Sequence, residues 1–244
     1  MKKRAALAPL ALLVAAAPPS SALAAAGSAA AESTSRDRFA ITVRRDGEPI
    51  IEGSGRMTRA VRAAGRFAKI EVEGPSALEV RVGPEESVEV EADDNLLDLI
   101  TTDVDGDRLR VGTRGSFRTH RTPTVRVTLR ELDRVSLRGS GDAHISNIAS
   151  DRLELVLLGS GDLHAQGRAR AVESDLYGSG NMDLAALSAP IIEASLYGTG
   201  EIRVHATRTL SAAVFGTGRI AVSGNPRFLR RDVFGPGSIA SIGR

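Results

Sequence analysis

A short motif recurs six times in the second half of the chain and constrains the fold more than any other feature. Each copy has Gly, then Ser, Thr or Pro, then Gly, flanked by alternating apolar residues, as in SLYGTGEIRV (Ser195–Val204). Successive copies start 18–20 residues apart. A repeat this regular indicates stacking of one small unit. The paired glycines are Gly139 and Gly141, Gly159 and Gly161, Gly178 and Gly180, Gly198 and Gly200, Gly216 and Gly218, and Gly235 and Gly237.

The residues around each motif alternate between apolar and polar, which is the period of a β-strand. In the fourth copy the pattern turns Leu196, Ile202 and Val204 inward, and Tyr197 and Glu201 outward. A unit of about 20 residues without a helical stretch is typical of one coil of a parallel β-helix, whose coils lie ~4.8 Å apart. We therefore predict an all-β solenoid in which each Gly-x-Gly forms a corner, because a Cβ there would interfere with the neighbouring coil.

The rest of the chain divides by composition. Residues 1–26 have a basic start, an apolar run and a small-residue cleavage site, and are predicted to be a cleaved signal peptide. Residues 27–36 are small and polar, as in a flexible linker. Residues 37–130 are predicted to form irregular β coils or an N-terminal lobe, and residues 131–244 are predicted to form the regular β-helix. The apolar run is too short to span a membrane, and the absence of cysteine excludes a lipid-modified cysteine and disulfides.

The charge of the chain does not indicate a polyanionic partner. The three basic residues Lys2, Lys3 and Arg4 belong to the predicted signal peptide. Without them, 29 of the 32 basic residues remain, and their charge nearly equals that of the 30 acidic residues. A mature chain this close to neutral gives no reason to expect a nucleic-acid partner.

The repeated motif does not fit the known chemistry of glycine-rich loops. A phosphate loop needs a helix N-terminus, whereas these motifs continue into strands. A calcium row needs repeated acids, but the polar position changes from Asp142 to Arg219 along the chain. A nucleophile elbow needs glycines two residues before and after the serine, whereas here they are adjacent to it, and Thr199 and Pro236 replace the serine in later copies. The motif therefore predicts shape rather than catalysis.

Two groups of outward residues are candidates for binding. The residue before the first glycine becomes aromatic toward the C-terminus and should form a ladder. This ladder comprises Tyr177, Tyr197, Phe215 and Phe234. Its rings stabilise one another by stacking, or alternatively they form a platform for sugar rings.

The second group joins two consecutive coils through Asp142 and His144 in one and Asp162 and His164 in the next. Stacking should bring the two imidazoles to ~5 Å from each other. The group could supply acid–base chemistry, and the two histidines are a weak candidate for a metal. The alternative is a solvated polar face on which two histidines align. We expect no bound cofactor, and no other ladder of acids of the kind that a glycosidase pair would need.

The last coil contains features that would blunt an open sheet edge. Pro236 replaces the Ser or Thr of the other corners, and proline cannot donate a ladder hydrogen bond. Arg227, Arg230 and Arg231 add charge to the same coil, which discourages pairing between edges.

The sequence also resembles a family of exported bacterial proteins, the auto-transporter adhesin head GIN domain. The similar stretches are Phe67–Val111, the serial L-x-G-S/T-G coils and VSGNPRF (Val222–Phe228), within about residues 66–240. The resemblance implies a right-handed parallel β-helix and supplies no catalytic or binding residues.

Together these features predict an exported, non-enzymatic β-solenoid, located in the periplasm or secreted to the cell surface. We expect it to bind an envelope polysaccharide or a surface protein. Two alternatives remain open: a carbohydrate-active β-helix enzyme, and a structural or envelope-stress protein without a ligand. The oligomeric state is not predicted.

Overall fold

The computed structural model describes residues 41–43 and 49–242. Within these ranges the regular secondary structure is β-strand, apart from a single 3₁₀ turn at Leu97–Leu99. The expected signal peptide and linker lie outside the described residues. None of the described helical segments has the length and apolar character needed to cross a membrane.

Strands of three to seven residues precede the first repeated motif. They are β1 (Ile41–Val43), β2 (Pro49–Glu52), β3 (Met57–Arg62), β4 (Lys69–Gly74), β5 (Ala77–Val82), β6 (Ser87–Asp93), β7 (Ile100–Asp105), β8 (Arg108–Thr113), β9 (Ser116–Arg118) and β10 (Thr124–Leu129).

The repeated region is made of longer strands that follow the coils. They are β11 (Arg134–Gly139), β12 (Ala143–Gly159), β13 (Asp162–Gly178), β14 (Asn181–Gly198), β15 (Glu201–Gly216), β16 (Arg219–Ser223), β17 (Phe228–Phe234) and β18 (Ser238–Ser241).

These strands pair in parallel with the motifs in register. Gly159 pairs with Gly178, which pairs in turn with Gly198. Leu157, Leu176 and Leu196 stack in the same way, and each is fully buried. The predicted parallel β-helix is therefore confirmed. Its core is aliphatic, because the inward positions of every coil are Val, Leu, Ile, Met or Ala with few exceptions.

The glycine corners have the geometry that the sequence predicted. The first glycine of each motif has a φ between +122° and +148°, a region that side chains rarely adopt. The second glycine packs against the coil below, so that a Cβ on Gly161 would overlap the carbonyl oxygen of Gly141. Both glycines are thus required by the stacking of one corner on the next.

A second bend follows the corners of the central coils, and the sequence did not predict it. The pairing of β12 with β13 shifts register between Ile145 and Ile148, and that of β13 with β14 shifts between His164 and Gly167. Asn147 has a φ of +58° at this bend. The bulge turns the chain and makes the outer surface concave beside it.

The N-terminal strands join the same stack, in an order that differs from the chain order. On one face β4 lies between β8 and β11 and is parallel to both. On the next face β5 lies between β10 and β12. Strands β4 and β5 thus form a coil that lies between two others. One neighbour is the coil of β8 and β10, which comes later in the chain, and the other is the first repeated coil. Gly74 pairs with Gly139 and extends the corner stack by one level.

Antiparallel strands cover this end of the stack. β7 pairs with β8 on one face, while β6 pairs with β10 and β3 with β6 on the other. A separate small sheet consists of β1, β2 and β9. The antiparallel strands give the first coils a partner on the side where no parallel coil precedes them.

The opposite end of the stack is open in the part of the chain that the structure describes. β17 pairs only with β15, and β18 only with β16. Leu229 and Val233 occupy inward positions but are 40% and 43% exposed, whereas their counterparts Leu210 and Val214 are buried. Arg231 also occupies an inward position, and its guanidinium donates a hydrogen bond to Ser241 Oγ at 2.9 Å.

Candidate functional site

The predicted aromatic ladder is present on the outer surface of the coils. Tyr177, Tyr197, Phe215 and Phe234 stack in sequence with ring centroids 4.7 Å apart and interplanar angles of 2–6°. The ring faces are used by this stacking, so the ladder presents ring edges to solvent. A platform for sugar rings needs free ring faces, which only the terminal rings can offer. Stabilisation of the sheet is therefore the better-supported role of the ladder.

The predicted histidine pair is also brought together. The imidazoles of His144 and His164 are parallel, with centroids 5.0 Å apart and an interplanar angle of 7°. Both residues are exposed. A zinc ion binds each nitrogen at about 2.0–2.1 Å, so two parallel rings one coil apart cannot share it without rotating. The described residues contain no group of three or more His, Cys, Asp or Glu suited to a metal ion.

The two aspartates predicted beside the histidines instead connect successive coils. Asp142 Oδ1 accepts a hydrogen bond from the backbone N–H of Asp162 at 2.9 Å. Asp162 Oδ1 accepts one from Asn181 Nδ2, also at 2.9 Å. These carboxylates are engaged by the coil above them, which leaves them poorly placed to act on a ligand together with the imidazoles.

Carboxylates do flank the histidine pair, but they come from other coils. In the parallel register, Glu79 of β5 pairs with His144 and Asp183 of β14 pairs with His164. Glu79 accepts a hydrogen bond from Arg126 at 2.9 Å, and Asp183 lies 3.9 Å from Arg203. Sequence reasoning missed Glu79, because 65 residues separate it from His144 and only the strand pairing makes them neighbours.

The histidine pair lies in a groove of about 700 Å³, which runs beside the second bends of successive coils. We call it the histidine groove. Its polar lining includes Glu79, Arg81, His144, His164, Gln166 and Asp183, and its apolar lining includes Ala165 and Ala185. Residues of β5, β10, β12, β13 and β14 contribute, so the groove runs along the stack over several coils.

A ladder of acids also occurs on the outer face next to the aromatic ladder, contrary to the expectation from the sequence. Glu154 pairs with Glu173, and Glu173 with Glu193. The signal was present in the sequence, because each glutamate stands five residues before the first glycine of its motif. Glu154 and Glu173 are paired with Arg134 and Arg152, at 2.6 and 3.1 Å.

Asp175 lies between this acidic ladder and the aromatic one and is half-buried. Burial raises the pKa of its carboxyl above the usual value of 3.8, and the negative charges of Glu173, Glu154 and Glu193 raise it further, against a hydrogen bond from Ser195. Burial, together with the charge of Asp175, likewise raises the pKa of the neighbouring Tyr177 above 10.0. On this face Asp175 is half-buried, whereas Tyr177 is 41% exposed.

The fold and these surfaces define a β-solenoid whose side chains form continuous ladders and a groove on the outside. The chain belongs to the family described as "Putative auto-transporter adhesin, head GIN domain", whose model matches residues 66–226. The resemblance stated from the sequence is therefore confirmed. Membership of this adhesin family supports a binding role rather than catalysis, and a location outside the cell or at its surface.

Solved structures with the same fold come from Bacteroides and Parabacteroides species. A putative adhesin from Bacteroides fragilis is 24% identical, with a TM-score of 0.66 over 79% of this chain and 100% of that one. A putative lipid binding protein from Parabacteroides distasonis is 21% identical, with a TM-score of 0.56 over 79% and 99%. A putative adhesin from Parabacteroides merdae is 18% identical, with a TM-score of 0.54 over 79% and 98%. At these identities the likeness shows the fold alone. No curated protein matches the chain.

Proposed function

We propose that the protein is an exported, non-enzymatic adhesin-type protein that binds an extended glycan of a cell envelope in the histidine groove. The single observation that carries the proposal is the groove itself, about 700 Å³ in volume and lined by residues of successive coils. A groove along the stack offers a linear ligand a further row of side chains every ~4.8 Å, one row from each coil. This regularity suits a polymer better than a compact small molecule.

The lining chemistry also supports a ligand rich in hydroxyl groups. Arg81 and Gln166 offer donors, Glu79 and Asp183 offer acceptors, and the imidazoles can do either. Ala165 and Ala185 provide small apolar patches between these groups. Binding sites for small ligands commonly combine apolar surface with a few placed polar groups.

The experiment compares binding of envelope polysaccharides by the parent chain and a His144→Ala/His164→Ala variant, using an immobilised polysaccharide panel. We expect the double variant to lose binding by at least ~10-fold, which corresponds to ~1.4 kcal/mol. A His120→Ala variant is the matched control, because His120 is exposed and does not line the groove. Equal binding by all three chains, or no binding by the parent, would refute the glycan proposal.

A second candidate function is a carbohydrate-active enzyme, and Asp175 is the observation that favours it. A half-buried carboxyl with a raised pKa next to several glutamates is a candidate general acid. The same polysaccharides are incubated with the parent chain and assayed for release of reducing ends. Release that an Asp175→Asn variant abolishes would support the enzyme, whereas retention of the polysaccharide without release supports the adhesin. Neither binding nor release would favour a structural protein without a ligand.

A further inference from the structure

The edge strand β17 ends the described stack, and its apolar side chains are unusually exposed. Phe228 is 64% exposed and Phe234 is 59% exposed on the outward side, while Leu229 and Val233 are exposed on the inward side. The backbone of β17 pairs only with β15, so its other edge has no partner among the described residues. Such an edge is a template for pairing with another strand.

The sequence of β17 is complementary to itself when it is reversed. It reads Phe-Leu-Arg-Arg-Asp-Val-Phe, from Phe228 to Phe234. In an antiparallel pair centred on Arg231, Phe228 faces Phe234 of the other copy and Leu229 faces its Val233. Arg230, which contacts Asp232 of its own chain at 2.8 Å, likewise faces Asp232 of the other copy, and each cross-strand contact occurs twice. Aromatic, aliphatic and opposite-charge pairs are the cross-strand combinations that stabilise sheets.

The same register also continues the ladders of the β-helix across the junction. The outward aromatic ladder that ends in Phe215 and Phe234 would be followed by Phe228 of the second copy. The inward column that ends in Val214 and Val233 would be followed by its Leu229. Inward and outward sides are preserved, so both exposed sets of apolar side chains would be buried at once.

Arg231 lies at the centre of this register and would face its own copy, which is an unfavourable pair of like charges. Its guanidinium, however, is already held by Ser241 of β18. The two paired strands run in opposite directions, so Ser241 of each copy would hold its Arg231 guanidinium toward a different end of the pair. Each guanidinium keeps its charge, because Ser241 is a neutral partner, so the two arginines oppose the pairing. The aromatic, aliphatic and Arg230–Asp232 contacts must outweigh this cost for the dimer to form.

We propose that β17 pairs antiparallel with β17 of a second copy, which gives a closed dimer with two-fold symmetry. Each copy uses the same strand, so the contact closes at two copies and leaves no further edge of β17 free. The proposal revises the expectation that Arg230 and Arg231 only discourage pairing, since Arg230, which already contacts Asp232 of its own chain at 2.8 Å, would also face Asp232 of the other copy. It does not depend on the histidine groove, which lies on other coils.

The first test uses the absence of cysteine from the chain. In an antiparallel pair the Cα atoms of directly opposed residues are about 4.5–5.5 Å apart, within the range that a disulfide spans. We expect an Arg231→Cys variant to form a covalent dimer on mild oxidation. Arg230→Cys is the matched control, because residue 230 faces residue 232 and not its own copy. Equal cross-linking of the two variants, or none in either, would overturn the proposal.

The second test keeps Arg231 and exchanges the charges beside it. The mass of the intact chain is measured by analytical ultracentrifugation from about 1 µM to about 1 mM. We expect a concentration-dependent dimer for the parent chain, a monomer for Asp232→Arg, and recovery of the dimer for Arg230→Asp/Asp232→Arg. Asp151→Arg, whose side chain is 85% exposed on another coil, serves as the control and should dimerise like the parent. A parent that stays monomeric, or that forms larger open assemblies, contradicts a closed dimer.

Discussion

At the scale of single residues, the glycines of the corner are the positions where the backbone has least freedom. Gly198 has a φ of +138° and packs on Gly178, while Gly200 packs on Gly180 and on the side chain of Leu176. Thr199 stands between them and is exposed. One corner thus contains two sites that tolerate no Cβ and one that tolerates a side chain of ordinary size.

We predict that Gly200→Ala lowers the free energy of unfolding by at least ~3 kcal/mol, because its Cβ would overlap a backbone carbonyl that cannot move without disturbing the next coil. Thr199→Ala should change it by less than ~0.5 kcal/mol. Urea denaturation of the two variants measures both values. Similar losses in the two variants would show that the corner glycines are not required by packing.

Asp175 provides a prediction about pH. Its pKa is raised in the folded state, so at neutral pH the buried charge destabilises the fold relative to the unfolded chain, in which the usual value of 3.8 applies. As the pH falls through the raised pKa toward 3.8, the folded state takes up the proton first and this penalty disappears. Asp175→Asn should therefore raise the melting temperature at pH 7, with a difference that shrinks as the pH is lowered.

Thermal unfolding at several pH values between 3.5 and 7.5 would check this prediction. Asp151→Asn is a suitable control, because that carboxylate is 85% exposed and is not among the charges that shift the pKa of Asp175. A stabilisation by Asp175→Asn that stays constant with pH would indicate a cause other than ionisation.

At the scale of the strand, stability comes from columns of equivalent side chains. Tyr197 stacks on two rings, Tyr177 and Phe215, at 4.7 Å each, whereas Phe234 stacks on Phe215 alone among the described residues. Each aromatic pair contributes about 0.5–1.5 kcal/mol beyond the area that it buries. The position of a ring in the ladder should therefore determine the effect of its removal.

We predict that Tyr197→Ala costs ~2–3 kcal/mol and Phe234→Ala about half as much. Tyr197→Phe keeps the ring and should cost under ~1 kcal/mol, since the hydroxyl lies at the solvent side of the stack. Chemical denaturation of the monomeric form is the measurement, so that pairing of β17 does not add to the result. A larger loss at Phe234 than at Tyr197 would contradict the ladder model.

At the scale of the whole molecule, a solenoid distributes stability unevenly, because each coil contacts only its neighbours. The coils of β13 and β14 have a parallel coil on both sides. The coil of β17 and β18 has one only, and its inward residues are exposed. Opening of the backbone should therefore be easiest at this end.

We predict by hydrogen exchange that the amides of residues 163–176 exchange at least ~100-fold more slowly than those of residues 228–241, which corresponds to ~2.7 kcal/mol of local stability. The experiment is done at the lowest workable concentration, and a repeat at high concentration should protect residues 228–234 selectively if β17 pairs. Uniform protection along the chain would indicate global opening instead.

The sequence by itself determined the features that depend on a fixed period. The 18–20-residue spacing predicted that each Gly-x-Gly corner stacks on the corner of the preceding coil. The alternation of apolar residues placed Leu196 inside and Tyr197 outside. From these two facts the parallel β-helix, the aromatic ladder and the 5.0 Å stack of His144 and His164 followed. They could be predicted because equivalent residues of a solenoid must lie above one another.

Only the tertiary structure decided which irregular strands join the stack, and therefore the chemistry of the groove. β4 and β5 lie between coils that follow them in the chain, which makes Glu79 a neighbour of His144. The second bend, at Asn147 and Gly167, shapes the concave surface. The insertion of β4 and β5 occurs once, and the bends of successive coils carry no common motif, since Ile148, Gly167 and Leu187 occupy equivalent positions there. Pairing between distant strands depends on which arrangement buries the most apolar surface and leaves the fewest edges open, and that is a property of the whole fold.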